Sequence, residues 1–177
     1  MFARTGEALN SFGKYRAAGI NIGLGTDTWP PDLLHNIQLG LYIARVVEEG
    51  TARTSIADLY NAATLGGARA LGRDDIGHLS AGTQADIVVF DLQSPHLGPF
   101  FDPFKNLLLA GRGTDCRASY IRGRCVMEDF AVMGVDAVAL QAQADRQFQK
   151  LMASHQSRAF GNPPPERLFH PVFPWAA

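Results

Sequence analysis

Apolar residues recur at helical spacing in several stretches of the chain, which predicts long helices. The clearest stretch is 32–48, and Pro31 is expected in its first turn, where a missing N–H costs nothing. Its predicted apolar stripe consists of Leu33, Leu34, Ile37, Leu41 and Ala44. Residues 7–18 and 137–154 show weaker patterns of the same kind.

Capping residues indicate shorter helices. Ser55, with Asp58 three positions later, resembles a capping box at the start of a short helix. Thr64 is expected to cap a second short helix, which Gly72 would end. Residues 103–110 predict one or two further helical turns.

Strand patterns occur in the remaining parts of the chain. Residues 21–25 place apolar side chains between small ones, which predicts a short buried strand. The unbroken apolar run at 87–90 predicts a strand that is buried on both faces or nearly so. Residues 117–120 and 125–127 predict a hairpin that turns at 123–124. The chain therefore combines helices and strands and belongs to the α/β class.

Asp27 is the most informative polar residue because it follows the predicted strand 21–25 directly. Gly25 and Thr26 end that strand and leave the carboxylate exposed at its carboxyl end. In barrels of parallel strands, catalytic side chains are presented at this end. The other interpretation is that Asp27 caps the helix that follows, and the residues alone leave both open.

Composition excludes several classes of function. Lys plus Arg number 16 and Asp plus Glu number 17, so the net charge is −1 and no surface attracts nucleic acid or an anionic membrane. No apolar run is long enough to span a bilayer, and no secretory signal peptide is expected. The two cysteines, Cys116 and Cys125, lack Cys-x-x-Cys spacing, which predicts free thiols and a cytoplasmic location.

Four segments, taken in order, resemble the carboxyl-terminal part of the amidohydrolase superfamily. They read GINIGLGTDT at 19–28, TLGGARALG at 64–72, IGHLSAGTQADIVVFD at 76–91, and SPH at 94–96 followed by DP at 102–103. The branch that they resemble contains cytosine deaminase, adenosyl-type deaminases and triazine hydrolases. Members of this branch are metal-dependent hydrolases.

The resemblance implies a fold and a domain order. A complete (β/α)8 barrel takes about 250 residues, and this chain has 177. The expected fold is therefore α/β, the C-terminal fragment of a (β/α)8 TIM-type barrel plus part of a small β-sandwich. Residues 1–74 would form the last part of the barrel and residues 75–135 part of the composite sandwich. A C-terminal helix and a Pro-rich tail, expected to pack on another surface, would occupy 136–177.

The resemblance also implies a reaction and a site. The reaction is hydrolytic deamination, or a related C–N or C–Cl hydrolysis, of a small nitrogen heterocycle, with zinc or iron as a divalent metal cofactor. Asp27 would accept the proton from water, pass it to the leaving nitrogen and contact the metal. Trp29 would line the substrate pocket, although packing of its loop onto the barrel rim is the alternative.

Histidines limit what the chain is expected to do alone. The resembled enzymes carry a His-x-His pair on the first barrel strand and further histidine ligands on the fifth and sixth strands. The histidines of this chain form no such pair; they are His35, His78, His96, His155 and His170. The chain is therefore expected to be a fragment that is inactive alone, and to form a homo-oligomer or associate with the missing N-terminal part.

Two other functions remain open at this point. The chain could be a non-catalytic remnant, or a subunit that completes another polypeptide's barrel. It could also derive from a cyclic amidase of the dihydroorotase or imidazolonepropionase type. The pocket residues that separate these alternatives are expected upstream of Asp27.

Structural roles are favoured for the other notable residues. His35 is expected on a helix surface, or beside a ligand rather than as one. Asp86 and Asp91 are interpreted as structural acids of turns, and His96 as a hydrogen-bonded hinge. The glycine pair 66–67 lacks the Gly-Lys-Ser/Thr spacing of a phosphate loop, so close helix packing is the better interpretation.

Overall fold

The computed structural model describes residues 6–27, 30–164, 167 and 173. The chain divides into two compact units, Met1–Met133 and Gly134–Ala177. The first unit contains the mixed helical and sheet structure and the sequence segment around Asp27. The division at 74 and 75 into barrel and sandwich parts stays a prediction.

Two helices begin the first unit, and both start later than the sequence predicts. Helix α1 spans Phe12–Ala17, and the Ser11 side chain accepts a hydrogen bond from Lys14 N at its start. Helix α2 spans Leu33–Val47. The expectation that Pro31 lies in the first turn of α2 is wrong, because Asp32 is the N-cap and its side chain accepts from His35 N.

The next helical segment is continuous and contains a π-helical turn. Helix α3 spans Ile56–Asn61 and begins with the predicted Ser55–Asp58 capping box. The π-turn spans Ala62–Gly66, and helix α4 follows at Gly67–Ala70. The prediction that Thr64 caps a separate helix is wrong. Its hydroxyl donates to Tyr60 O instead, because the chain is already helical at that point.

A hydrophobic core joins these helices to helix α5, Pro103–Ala110. Its buried members are Phe12, Leu34, Ile37, Ala44, Leu59, Ala62, Leu107 and Leu108. The predicted apolar stripe of α2 supplies several of them, whereas Leu33 is 39% exposed. Ile22 and Leu24 pack against this core and are partly buried. The segment that precedes Asp27 is therefore attached to the main core of the unit.

A polar cluster fixes the start of α1 against the end of α2. The Glu48 carboxylate accepts hydrogen bonds from Ser11 Oγ at 3.0 Å, Gly13 N at 2.7 Å and Thr54 Oγ1 at 2.8 Å. Burial raises the pKa of Glu48, but these hydrogen bonds and the nearby Arg53 charge outweigh it and lower the pKa below its ordinary value. Ser11 and Thr54 are buried, so the carboxylate satisfies hydroxyls that water does not reach.

The sheet of the first unit is antiparallel and has the order β1-β2-β3-β4. Strand β1 is Ile87–Phe90 and β2 is Cys116–Ile121. Strands β3, Arg124–Glu128, and β4, Ala131–Val132, complete it. The predicted hairpin is confirmed. Its turn lies at Arg122 and Gly123, with positive φ angles of 52° and 74°, and the prediction of a turn at 123–124 is wrong because Arg124 already pairs with Ile121.

Strand β1 is less buried than its apolar sequence predicts. Val88 is 52% exposed and Val89 is 42% exposed. The prediction of burial on both faces is therefore wrong. In the described part of the chain β1 is an edge strand with β2 as its one neighbour, so one row of its backbone groups has no strand to pair with.

The predicted strand 21–25 is not a strand in this structure. None of its residues pairs with a neighbouring strand within the described ranges. A lone apolar segment cannot satisfy its backbone by a ladder, because a ladder needs a second strand. Leu24 N instead donates to Ala62 O of the π-turn at 3.1 Å. The apolar residues are inserted into the core as predicted, but without a sheet.

The sheet thiols are unpaired. Cys116 and Cys125 are both free and partly buried, as the sequence predicts. Burial raises the pKa of the Cys116 thiol, and a backbone hydrogen bond with Ala118 opposes that effect. The ordinary behaviour of both residues is therefore that of small apolar side chains.

The second unit contains helix α6, Ala137–Arg158, capped by Asp136. This helix is one turn longer at its end than the predicted 137–154. The aromatic tail, with Trp175 and most of its neighbours, lies outside the described residues. Among the helices that the structure describes, none is long and apolar enough to cross a membrane.

Candidate active site

Asp27 ends the segment 21–27 and is exposed, as the sequence predicts. Its backbone has a φ of 55°, in the left-handed region that non-glycine residues rarely adopt. The interpretation of Asp27 as the cap of the following helix is wrong, because Asp32 occupies that position. The Asp27 carboxylate is thus exposed and is not the N-cap of α2.

Contacts with the π-turn hold the segment in front of Asp27. Leu24 N donates to Ala62 O at 3.1 Å, and Asn21 Nδ2 donates to Gly66 O at 3.0 Å. Gly66 approaches so closely that a Cβ there would lie 2.1 Å from Ile22 O. The expectation that the glycine pair serves close packing is therefore supported at Gly66.

Both ends of the loop that contains Asp27 are tied to other elements. Asn36 of α2 donates its side-chain N–H to Gly25 O, two residues before Asp27. On the other side, Asp32 Oδ1 accepts from His35 N at 3.2 Å and Asp32 Oδ2 accepts from Gly113 N at 2.8 Å. The loop therefore starts and ends at defined points.

Asn36 and Asp32 were not singled out by their sequence. Asparagine is a weak helix former, so an asparagine inside the first turns of α2 is one signal of a tertiary hydrogen bond. Asp32 precedes an apolar periodic stretch, which is the usual signal of an N-cap. Neither signal reveals that the bonded partners are Gly25 and Gly113.

The other predicted site residues separate into two groups. Trp29 lies outside the described residues. His35 is exposed near the start of α2, as predicted for a surface residue.

The turn acids and His96 form structural hydrogen bonds. Asp86 accepts from Arg122 N at 2.8 Å and from Gln84 Nε2 at 2.7 Å, and these hydrogen bonds lower the pKa of Asp86. Asp91 accepts from Gln93 N at 2.9 Å within its turn. His96 Nε2 lies 3.0 Å from Oδ2 of the buried Asp115. These contacts agree with the structural roles that the sequence favours for Asp86, Asp91 and His96.

A complete metal site is not formed by the described residues. Among them, no three His, Cys, Asp or Glu side chains are grouped closely enough to hold an ion. Zinc sites in proteins are almost always four-coordinate, with three protein ligands even where a position is left open for water. The donor set that the structure describes therefore does not fit a resident zinc ion, although Asp27 could supply one oxygen.

The sequence profile of the amidohydrolase family matches residues 5–138. The chain is 34% identical over 149 residues to a 5-methylthioadenosine/S-adenosylhomocysteine deaminase of Natronomonas pharaonis. The aligned region covers 82% of the chain and 33% of that protein. A 5'-deoxyadenosine deaminase of Methanosarcina mazei is 29% identical over 139 residues, and this alignment covers 76% of the chain and 32% of that protein. The chain thus spans about a third of the length of these relatives.

Solved structures give the same similarity in three dimensions. An adenosine deaminase from Xanthomonas campestris with bound zinc superposes with a TM-score of 0.74 at 28% identity, covering 78% of the chain and 33% of that structure. Atrazine chlorohydrolase from Arthrobacter aurescens TC1, complexed with zinc, gives 0.71 at 25% identity, with 82% and 33% covered. The family profile spans well over half of the chain, and the matched segment includes Asp27 and its supporting contacts. The chain belongs to the amidohydrolase family.

Proposed function

We propose that this chain carries the proton-transfer carboxylate of an enzyme that deaminates an adenosine-type nucleoside by hydrolysis. The main support is the position of Asp27. It is an exposed carboxylate on a loop that is hydrogen-bonded at Gly25 and Asp32, within the segment that matches the family. Two relatives are named for deamination of adenosine derivatives, which supports this reaction over the dechlorination named for the triazine enzyme. The fold around it is proposed to be the end of a (β/α)8 barrel and part of a β-sandwich.

Asp27 acts as the base and then as the acid of the reaction. Its carboxylate takes a proton from water while the water oxygen bonds to the carbon that bears the amino group. The same proton then passes to the amino nitrogen, the C–N bond breaks, and ammonia leaves. The product carbon keeps the oxygen with the second hydrogen of the water, so the atoms of one water molecule are fully accounted for.

A divalent metal, zinc or iron, is also part of the proposal, with Asp27 as one ligand. Support comes from the zinc named for two similar structures. The described residues of this chain do not fit a complete site, so the proton transfer above is assigned to Asp27 alone. Trp29 is proposed to contact the substrate, because it follows Asp27 by two positions.

Expression of the complete reading frame that contains this chain tests the substrate class. Ammonia release should be measured with 5'-methylthioadenosine, S-adenosylhomocysteine and 5'-deoxyadenosine, and chloride release with atrazine. We expect kcat/KM for the best nucleoside to exceed that for atrazine by more than about tenfold, because pocket contacts discriminate substrates by at least this much. Turnover of atrazine or a cyclic amide with no nucleoside deamination would contradict the proposal.

A non-catalytic module is the second candidate, because the described residues gather no metal-ligand group. In that case the chain would be a remnant, or a subunit that completes another polypeptide's barrel. Turnover of none of the nucleosides, triazines or cyclic amides would favour this candidate. A cytoplasmic location stays a prediction, as does the cyclic amidase alternative.

Association with a second copy, or with a further polypeptide, is proposed for the β1 edge. Exposed valines and an edge without a described neighbour favour pairing with another strand. We expect the purified chain to self-associate in light scattering, and Val88→Lys to reduce its mean mass. Val138→Lys introduces the same charge at an exposed residue of α6, which is not part of the sheet, and should leave the mass unchanged. A monomeric wild-type chain with a cooperative melt would count against this proposal.

A further inference from the structure

We propose that Asn36 is a positioning residue for Asp27. The inference rests on the proposed role of Asp27 as the proton-transfer group and extends it to a residue on α2. Asn36 is half-buried and donates a side-chain N–H to Gly25 O. Thr26 alone separates this bonded carbonyl from Asp27, so the hydrogen bond acts on the backbone that sets the direction of the carboxylate.

The side chain of Asp27 is exposed, so packing among the described residues does not fix its direction. Its φ of 55° lies in a sparsely populated region, which persists where the surrounding structure holds it. Catalytic groups must stay within about 0.5 Å of their productive geometry. A hydrogen bond two residues away is therefore well placed to hold this backbone conformation.

The anchors on either side of Gly25 differ in kind. Before it, Leu24 N is bonded to the π-turn and the apolar side chains lie in the core. After it, the next described anchor is Asp32, which is bonded to His35 N and Gly113 N. Between Leu24 and Asp32, the hydrogen bond from Asn36 is the one nearest to Asp27 in the part of the chain that the structure describes. Loss of this hydrogen bond should therefore change the backbone conformation at Asp27 more than the packing of the core.

Gln38 provides a matched comparison on the same helix. It is also half-buried, and its side-chain N–H donates to Gly111 O at 2.7 Å. The chemistry is the same as at Asn36, but the bonded carbonyl belongs to the end of α5. A general effect of losing one amide donor from α2 would appear in variants of both Asn36 and Gln38. An effect specific to Asp27 would appear only in variants of Asn36.

Asn36→Asp removes the donor with almost no change of shape, and Gln38→Glu does the same at the control position. Asn36→Ala is a second test without the introduced charge. Amide hydrogen exchange should be measured at Thr26 and Asp27 in the full chain, together with kcat, KM and the thermal melt of the protein from the complete reading frame. We expect both Asn36 variants to speed exchange at these amides and to lower kcat about 10- to 100-fold, with KM within about twofold.

Several outcomes would overturn the inference. The first two are unchanged amide exchange at Asp27 and unchanged kcat in both Asn36 variants. The third is an equal loss of kcat in Gln38→Glu. The fourth is unfolding of both Asn36 variants, which would make Asn36 a structural part of α2. Failure of the proposed function is separate from these. It would appear as wild-type kcat in Asp27→Asn, whereas failure of the present inference leaves Asp27→Asn inactive and the Asn36 variants active.

Discussion

Asp27→Asn is expected to lower kcat by about two to four powers of ten, the usual contribution of general acid–base catalysis. The amide keeps the shape of the carboxylate but cannot accept a proton from water at neutral pH. Asparagine tolerates the left-handed backbone conformation at this position, where φ is 55°. The free energy of unfolding should therefore change little. The measurement is kcat at saturating substrate, together with a thermal melt, for the protein from the complete reading frame.

Asp74→Asn is the matched control for this substitution. Asp74 is an exposed carboxylate in the same unit and belongs to the loop after α4. It should keep wild-type kcat and stability, because Asp74 lies outside the loop that contains Asp27 and has no proposed role in proton transfer. An Asp27→Asn variant with unchanged kcat would remove Asp27 from the mechanism and leave the family membership of the chain intact.

Gly66→Ala is expected to give the largest loss of stability among single-methyl substitutions at the described glycines of the π-turn and α4. The new Cβ would lie 2.1 Å from Ile22 O, which is a backbone atom and cannot rotate away. Overpacking of this kind typically costs 1–3 kcal/mol, and about 1 kcal/mol returns because alanine is a better helix former than glycine. The two effects together leave an expected net loss of up to about 2 kcal/mol in urea unfolding, with kcat lowered because segment 21–24 is displaced.

Gly67→Ala tests the same change one residue later. Gly67 is also helical, but a Cβ there would meet nothing within 4 Å. Without a clash, the better helix propensity of alanine should leave stability equal or higher by up to about 1 kcal/mol. Equal stability of the two variants would show that the close approach of Gly66 to Ile22 does not constrain the fold.

Local patterns predicted the elements that depend on neighbouring residues along the chain. The Ser55–Asp58 capping box, the apolar stripe of α2 and the β2–β3 hairpin all form as expected. Each is stabilised within one helix or between adjacent strands, so the sequence contains most of the needed information. The prediction of a cap at Thr64 was wrong. A threonine caps a helix only where the preceding residues are not helical, and α3 continues without a break into the π-turn.

The family, the exposed position of Asp27 and the close packing at Gly66 could all be inferred from the sequence by itself. Whether 21–25 is a strand, and how far β1 is buried, depended on which neighbours are present, because strands are defined by pairing. The hydrogen bonds from Asn36 Nδ2 to Gly25 O and from Gly113 N to Asp32 Oδ2 join residues that are 11 and 81 positions apart in the chain. Only the tertiary structure decides such contacts, since a side-chain donor can reach any carbonyl that the fold brings near it.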